Sequence, residues 1–463
     1  MEILILLGIV GTAGYIFGQY SKTKKPEKII QRNNVVPSVK VNKPDVSSLS
    51  EEQEALFNKI ENTNKHMFIT GKAGTGKSRL LLHFKNNSKK KIVVVAPTGV
   101  AALNVGGQTI NSLFKIPPSF IAKEGLKPID YKTSMLLKNI DTVVIDEISM
   151  VRVDLMEAID QRLRQARNSV IPFGGVQIIM FGDPYQLPPV VPDQELQKYF
   201  ADIFGGYYFF NSHVWDKVDF EKNELEKIFR QNDDAFKDIL NAIREGDTSE
   251  NVLNSLNSKI YNATLPEGVI TLATTNAGVN FINSTRLSQL QGKEYQYRAI
   301  VRGDLRESDF PTEEILRLKV GAQVMFVKND KSKRWVNGSI GVIKSLSDNE
   351  IKVEVNRITF SVPQESWNKI KYFYNQDLKS VDEEVVSSFT QFPLRLAWAI
   401  TIHKSQGQTF DSVAIDLGAG AFAHGQTYVA LSRATTLERL YLTRGVLPED
   451  IIVDRAVVEF MKK

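Results

Sequence analysis

The chain has 463 residues, room for two to four domains that each bury a core. It contains no cysteine, which excludes disulfides, cysteine-ligated zinc and thiol catalysis, and its five histidines are scattered without metal-ligand spacing. A formal net charge of +5 over such a length is a mild bias; it permits a polyanionic partner without requiring one.

Ile3 to Ser21 runs for nineteen residues without a charge and is followed at once by Lys22, Lys24 and Lys25. That length suits one membrane crossing with the basic flank on the cytoplasmic side, so residues 1–21 are expected to form an N-terminal transmembrane anchor. A targeting peptide is the alternative. Residues 22–46, rich in lysine, asparagine, proline and valine, read as a basic flexible linker. The folded part opens with Ser50 and Gln53, spaced as a capping box ahead of Ala55, Leu56 and Ile60.

Gly71-Lys72-Ala73-Gly74-Thr75-Gly76-Lys77-Ser78 fits G-x-x-x-x-G-K-[ST]. The run Met67-Phe68-Ile69 reads as a strand leading in, and Ser78 to Phe84 as a helix leading out. Glycines let the backbone curl so that N–H groups face phosphate oxygens at a helix N-terminus. Lys77 is then placed for the β- and γ-phosphates of a nucleoside triphosphate, and the Ser78 hydroxyl for Mg²⁺.

Ile92 to Ala96, Thr142 to Ile145 and Val176 to Phe181 read as buried strands. The second ends in Asp146-Glu147 and the third in Gly182-Asp183. Strands alternating with helical patterns predict a parallel sheet with its chemistry at the strands' C-terminal ends. There Asp146 suits Mg²⁺ and Glu147 the attacking water. Leu155, Ile159 and Leu163 predict an amphipathic helix from Asp154 to Arg167, with Arg162, Arg164 and Arg167 on a solvated face. Residues 113–139, with loose patterning and prolines, read as a small insertion.

A second half begins near His213. Glu224 to Arg244, with Phe229-Arg230-Gln231, reads as helix, and Val269 to Ala273 as strand. From about Gln296 to Gln391, short β-like runs alternate with turn signals such as Asn337-Gly338, predicting an inserted β-barrel. Trp335, Trp367, Tyr372, Phe373 and Tyr374 are expected in its core, with base stacking as the alternative. Ala397 to Lys463 returns to α/β texture.

Taken in order, these segments resemble the petite-integration-frequency helicases of superfamily 1B and, more distantly, the RecD-type helicases. The resemblance rests on Leu49 to Gln53, the phosphate loop, Ala96-Pro97-Thr98-Gly99-Val100-Ala101-Ala102, Ile145 to Met150, Gly182 to Val190, Phe229-Arg230-Gln231, Thr401 to Gly407 and Tyr428 to Ala434. Asn111 stands where that family usually has histidine. Pro184 stands where phenylalanine is common, with Gln186 intact two positions on.

The resemblance implies an α/β fold of two RecA-like P-loop domains, with parallel sheets flanked by helices. The first would span 47–212 with a strand-splitting wedge at 113–139, and the second 213–300 and 391–463. The insertion at 301–390 would be an SH3-like β-barrel. It further implies that Gln53 reads adenine, that Gln186 senses the γ-phosphate, and that Arg230 and Arg433 reach it across the cleft. Thr98, His403 and Ser405 would contact DNA. The implied activity is an ATP- and Mg²⁺-dependent DNA helicase travelling 5′→3′ on single strands and acting on forked DNA; a membrane-associated P-loop ATPase, or a DNA-binding protein that does not unwind, is the alternative. The expected setting is intracellular, as a monomer, with the anchor tying it to a membrane.

Overall fold

The computed structural model describes residues 49–117, 126–191, 193–231, 233–261, 263 and 265–463. Six strands form the first sheet: β1 (Met67–Gly71), β2 (Ile92–Ala96), β3 (Gln108–Thr109), β4 (Thr142–Ile145), β5 (Gln177–Phe181) and β6 (Glu221–Leu225). They lie in the order β3-β2-β4-β5-β1-β6, every neighbouring pair parallel. A parallel sheet covered on both faces demands apolar residues at consecutive positions, and β1, β4 and β5 are buried at every residue. Met67, Ile69, Val94, Val144 and Ile179 pack on one side with Leu56, Ile60, Leu80 and Phe84. Phe68, Val93, Val143, Ile178 and Met180 pack on the other with Leu136, Leu137, Ile159 and Leu163.

Several expectations are corrected here. β6 pairs with β1 along its whole length, so the first sheet continues beyond the boundary expected at 212/213. The stretch expected as helix from Glu224 to Arg244 is strand to Leu225, then a loop carrying Phe229 to Gln231, then helix Asp234–Glu245. Arg162 does not sit on a solvated face: it is 1% exposed, and its guanidinium donates to the carbonyls of Lys127 at 2.6 Å and Lys115 at 3.0 Å. Arg167 likewise donates to the carbonyls of Leu137 and Ile140. Part of the expected wedge is core, because helix Tyr131–Asn139 buries Leu136 and Leu137 against the sheet.

The second sheet contains β7 (Ile270–Ala273). An insertion follows, with β8 (Tyr295–Arg298), β9 (Ile300–Arg302), β10 (Ile315–Leu318), β11 (Gln323–Phe326), β12 (Ile340–Leu346), β13 (Ile351–Val355), β14 (Ile358–Val362), β15 (Glu365–Asn375), β16 (Ser380–Gln391) and β17 (Leu394–Leu396). The chain then returns through β18 (Ala399–Thr401), β19 (Val413–Asp416) and β20 (Leu440–Leu442) to complete the parallel order β18-β7-β19-β20.

In the insertion, β14-β13-β12-β11-β17 form an antiparallel sheet. Its core includes Trp335, stacked on Phe326 at 4.3 Å. The long hairpin β15–β16 reaches the first sheet, where the Tyr372 hydroxyl accepts the N–H of Val94 at 3.3 Å and the Tyr372 N–H donates to Gln108 at 3.2 Å. Of the aromatics expected in the barrel's core, Trp335 is buried there, whereas Trp367 is buried in the cluster around the second sheet, Tyr372 in that of the first, and Phe373 and Tyr374 are half-buried.

Helix Arg455–Lys462 follows the second sheet in sequence yet docks on the first. Phe460 stacks on Phe210 at 4.1 Å and meets Trp215 at 5.3 Å, Phe209 at 5.7 Å and Phe68 at 5.8 Å. Among the described residues, no helix is long and apolar enough to cross a membrane. The anchor and linker expected over 1–46 lie outside the described residues, as does 118–125 of the expected wedge.

Candidate active site

The C-terminal ends of the two parallel sheets bring most of the motif residues together. The phosphate loop links β1 to helix Lys77–Asn87. Its Gly74 and Gly76 have φ of +87° and +82°, a region costly for other residues. A Cβ at Gly74 would lie 2.5 Å from the Cβ of Arg230, so glycine also permits the close approach of that loop. The Lys77 ammonium donates to the carbonyls of Gly71 at 2.6 Å and Lys72 at 3.1 Å, and burial lowers its pKa. Ser78 is exposed at the start of the helix.

Gln53 forms the capping box with Ser50, and its amide also donates to the carbonyls of Thr75 at 3.2 Å and Gly76 at 3.4 Å. It is fully buried. The side chain expected to read adenine is committed to shaping the loop, with the Phe229 ring beside it at Gly76.

Asp146 and Glu147 directly follow β4. Burial, and then the neighbouring Glu147, push the Asp146 carboxyl up to about 7. Burial also raises Glu147, while Lys77, Arg433 and a hydrogen bond from Gln406 act in the opposite sense. Glu147 has φ +50°, ψ +46°. A non-glycine residue held there stores about 1–3 kcal/mol, which the packed strand end sustains.

Residues from both sheets' sides that the motifs do not single out complete the site. Gln406, on the turn after β18, donates to Glu147 Oε2 at 2.9 Å and to Gln186 Oε1 at 3.4 Å. Gln186 donates to Asp183 Oδ2 at 3.4 Å, and Arg244 pairs with Asp183 Oδ1 at 3.2 Å while lying 4.1 Å over the Tyr185 ring. Tyr428 accepts the Ala73 N–H at 3.0 Å and donates to Asp183 at 3.5 Å. Gln406, Asp183 and Tyr428 stand inside the motif stretches quoted above, so the signal was present. Arg244 is an arginine in an ordinary amphipathic helix and carried none.

Arg230 donates to the Ser432 carbonyl at 3.2 Å, and burial pushes its pKa down to about 10. Arg433 is 1% exposed and donates to the carbonyls of Val429, Gln408 and Ser405 at 2.9, 3.1 and 3.3 Å, which hold it on the second sheet's side of the cleft. Burial, and then Arg230, lower its pKa, with Glu147 opposing.

The expected DNA contacts divide. Thr98 is exposed at the end of β2, its hydroxyl accepting the Ala101 N–H. His403 is half-buried, and burial lowers its pKa. Ser405 is corrected: it is fully buried, and its hydroxyl donates to the Ile402 carbonyl at 2.7 Å, so the side chain holds a turn rather than facing a strand of DNA. Asn111 donates to the carbonyls of Ile116 and Pro117. Pro184 leaves its carbonyl to His424 Nε2 at 2.9 Å, and the turn to Gln186 is intact.

The pattern of the PIF1-like helicase family matches residues 48–254, and that of the UvrD-like helicase C-terminal domain matches residues 396–442. ATP-dependent DNA helicase PIF1 of Danio rerio is 35% identical over 86% of this chain, which spans 61% of that relative's length. ATP-dependent DNA helicase Pif1 of Bdellovibrio bacteriovorus is 32% identical over 90% of this chain and 92% of its own. Bacteroides Pif1 in complex with ADP-AlF4 superposes with a TM-score of 0.84 at 37% identity, covering 90% of this chain and 96% of that one. The same helicase bound to single-stranded DNA gives a TM-score of 0.65 over the same shares. With a relative matched almost end to end, this chain belongs to the PIF1-like helicase family.

Proposed function

We propose that this protein is an ATP- and Mg²⁺-dependent DNA helicase that moves 5′→3′ along single-stranded DNA and opens forked duplexes. The observation that carries the reading is the bond from Gln406 on the second sheet to Glu147 on the first. It makes the candidate general base answer to the spacing between two domains, which is what a motor requires. Lys77 and the loop N–H groups bind the phosphates, Glu147 polarises water, Gln186 senses the terminal phosphate, and Arg230 and Arg433 steady its charge.

Asp146 and Ser78 are the side chains that would hold Mg²⁺, which supplies charge neutralisation at the phosphate oxygens. The residues fit a cation: burial and the neighbouring Glu147 raise the Asp146 pKa, and a divalent ion offsets that crowding of negative charge.

We assign 49–225 together with helix Arg455–Lys462 to the first RecA-like domain. The second runs from 234 to 442, outside an SH3-like insertion at 295–396, and the wedge is narrowed to 117–130, since Leu113, Phe114 and Ile116 are buried with the first sheet. Thr98 and His403 grip the strand alternately as the cleft opens and closes. The protein acts inside the cell as a monomer, anchored through residues 1–21. The anchor is tested by fractionating the full-length chain against one starting at Val46; a soluble full-length protein refutes it.

Strand separation of 5′-tailed and 3′-tailed duplexes with ATP and Mg²⁺, beside Lys77→Ala, tests the motor. Unwinding of the 5′-tailed duplex alone, lost in Lys77→Ala, is the expected result. Unwinding of neither, with ATP hydrolysis indifferent to DNA, refutes the reading.

A further inference from the structure

A phosphate loop acts through its backbone N–H groups, and one of them, that of Ala73, is already taken by a residue of the second sheet's side. The Tyr428 hydroxyl accepts it at 3.0 Å. Tyr428 stands on helix Gln426–Leu431 and is 4% exposed, so water does not compete for the bond. The same hydroxyl donates to Asp183 Oδ2. Asp183 is held in place by Arg244 on its other oxygen and accepts from Gln186, whose own carbonyl oxygen accepts from Gln406, which reaches Glu147. An unbroken line of hydrogen bonds therefore joins the phosphate loop to the candidate base, passing twice through residues of the second sheet's side.

We infer that Tyr428 is a positioning residue that reads the occupancy of the phosphate loop. A terminal phosphate entering the cleft competes for the Ala73 N–H. The hydroxyl that gives it up is left with Asp183, and the change passes to Gln186 and Gln406. Tyr428 thus links nucleotide binding to the contact between the two sheets, a role separate from the charge supplied by Arg433. The inference rests on the ATP-hydrolysis reading above.

Tyr428→Phe keeps the ring and removes only the hydroxyl. The Ala73 N–H then has no partner to surrender, and nucleotide binding no longer has to break that bond. In the full-length protein, the Kd of a non-hydrolysable ATP analogue is expected to fall about tenfold, equivalent to about 1.4 kcal/mol. Stimulation of kcat by single-stranded DNA is expected to fall with it. An affinity unchanged or weakened in the variant overturns the inference, whatever happens to kcat. A second measurement needs no substitution: in the nucleotide-free wild type the Ala73 amide should be protected from hydrogen exchange, and free exchange there overturns the inference as well. A wild type that binds no nucleotide at all refutes the ATPase reading itself, whereas normal wild-type binding with an unaltered Tyr428→Phe removes only the role of Tyr428.

Discussion

Gln406→Ala isolates the contact between the sheets. The substitution removes one hydrogen bond to the Glu147 carboxylate at 2.9 Å and a longer one to Gln186 at 3.4 Å. A hydrogen bond to a charged group contributes about 1.5–3 kcal/mol. If that bond acts only when the cleft is closed on ATP, kcat falls about 10- to 150-fold with little change in KM. The pH profile shifts too, and its sign follows from the site. Burial raises the Glu147 pKa and the Gln406 bond lowers it. Removing the bond raises the pKa further, and a base works only when deprotonated, so the acid limb of kcat moves to higher pH. Steady-state DNA-stimulated ATP hydrolysis from pH 5.5 to 9 reads both effects. A kcat within about twofold of wild type and an unmoved acid limb would refute the argument that the second sheet controls the base.

Two other predictions concern buried charges. Arg162→Met strips two carbonyls of a cationic donor and should destabilise the first sheet's region by about 3 kcal/mol or more, read as a lower urea midpoint; an unchanged midpoint would return Arg162 to the surface. With the Asp146 carboxyl pushed up to about 7, Mg²⁺ must displace a proton below that pH. Apparent Mg²⁺ affinity in ATP hydrolysis should therefore be about tenfold weaker at pH 6 than at pH 8, and a flat response would mean that Asp146 is ionised throughout.

What could be read from the chain depended on how each residue is buried. The strands β1, β2, β4 and β5 were legible because a doubly covered parallel sheet writes unbroken apolar runs. β6 was not, since Glu221-Lys222-Asn223-Glu224 lies on the sheet's edge with charged side chains in water, and nothing in its pattern says strand. The periodicity of Leu155, Ile159 and Leu163 located the helix but could not show that a loop folds over Arg162. The phosphate loop and the acids carry their chemistry in local spacing. Gln406, Tyr428 and Asp183 act through partners far off in sequence, so their geometry needed the fold. Ser405 shows the converse: a residue placed by a motif, whose side chain is spent on its own turn.

The docking of helix Arg455–Lys462 has a consequence for how the chain folds. A ribosome delivers β1 to β5 and the aromatic residues Phe209, Phe210 and Trp215 well before Phe460, which packs against them. Domains usually condense in order of synthesis. Here the earlier half exposes an aromatic face until the later half has been made, so its last step is a long-range contact, slow to form and prone to association while it waits. Translation halted after β20 would leave both sheets made, with Phe209, Phe210 and Trp215 still lacking the Phe460 ring that covers them.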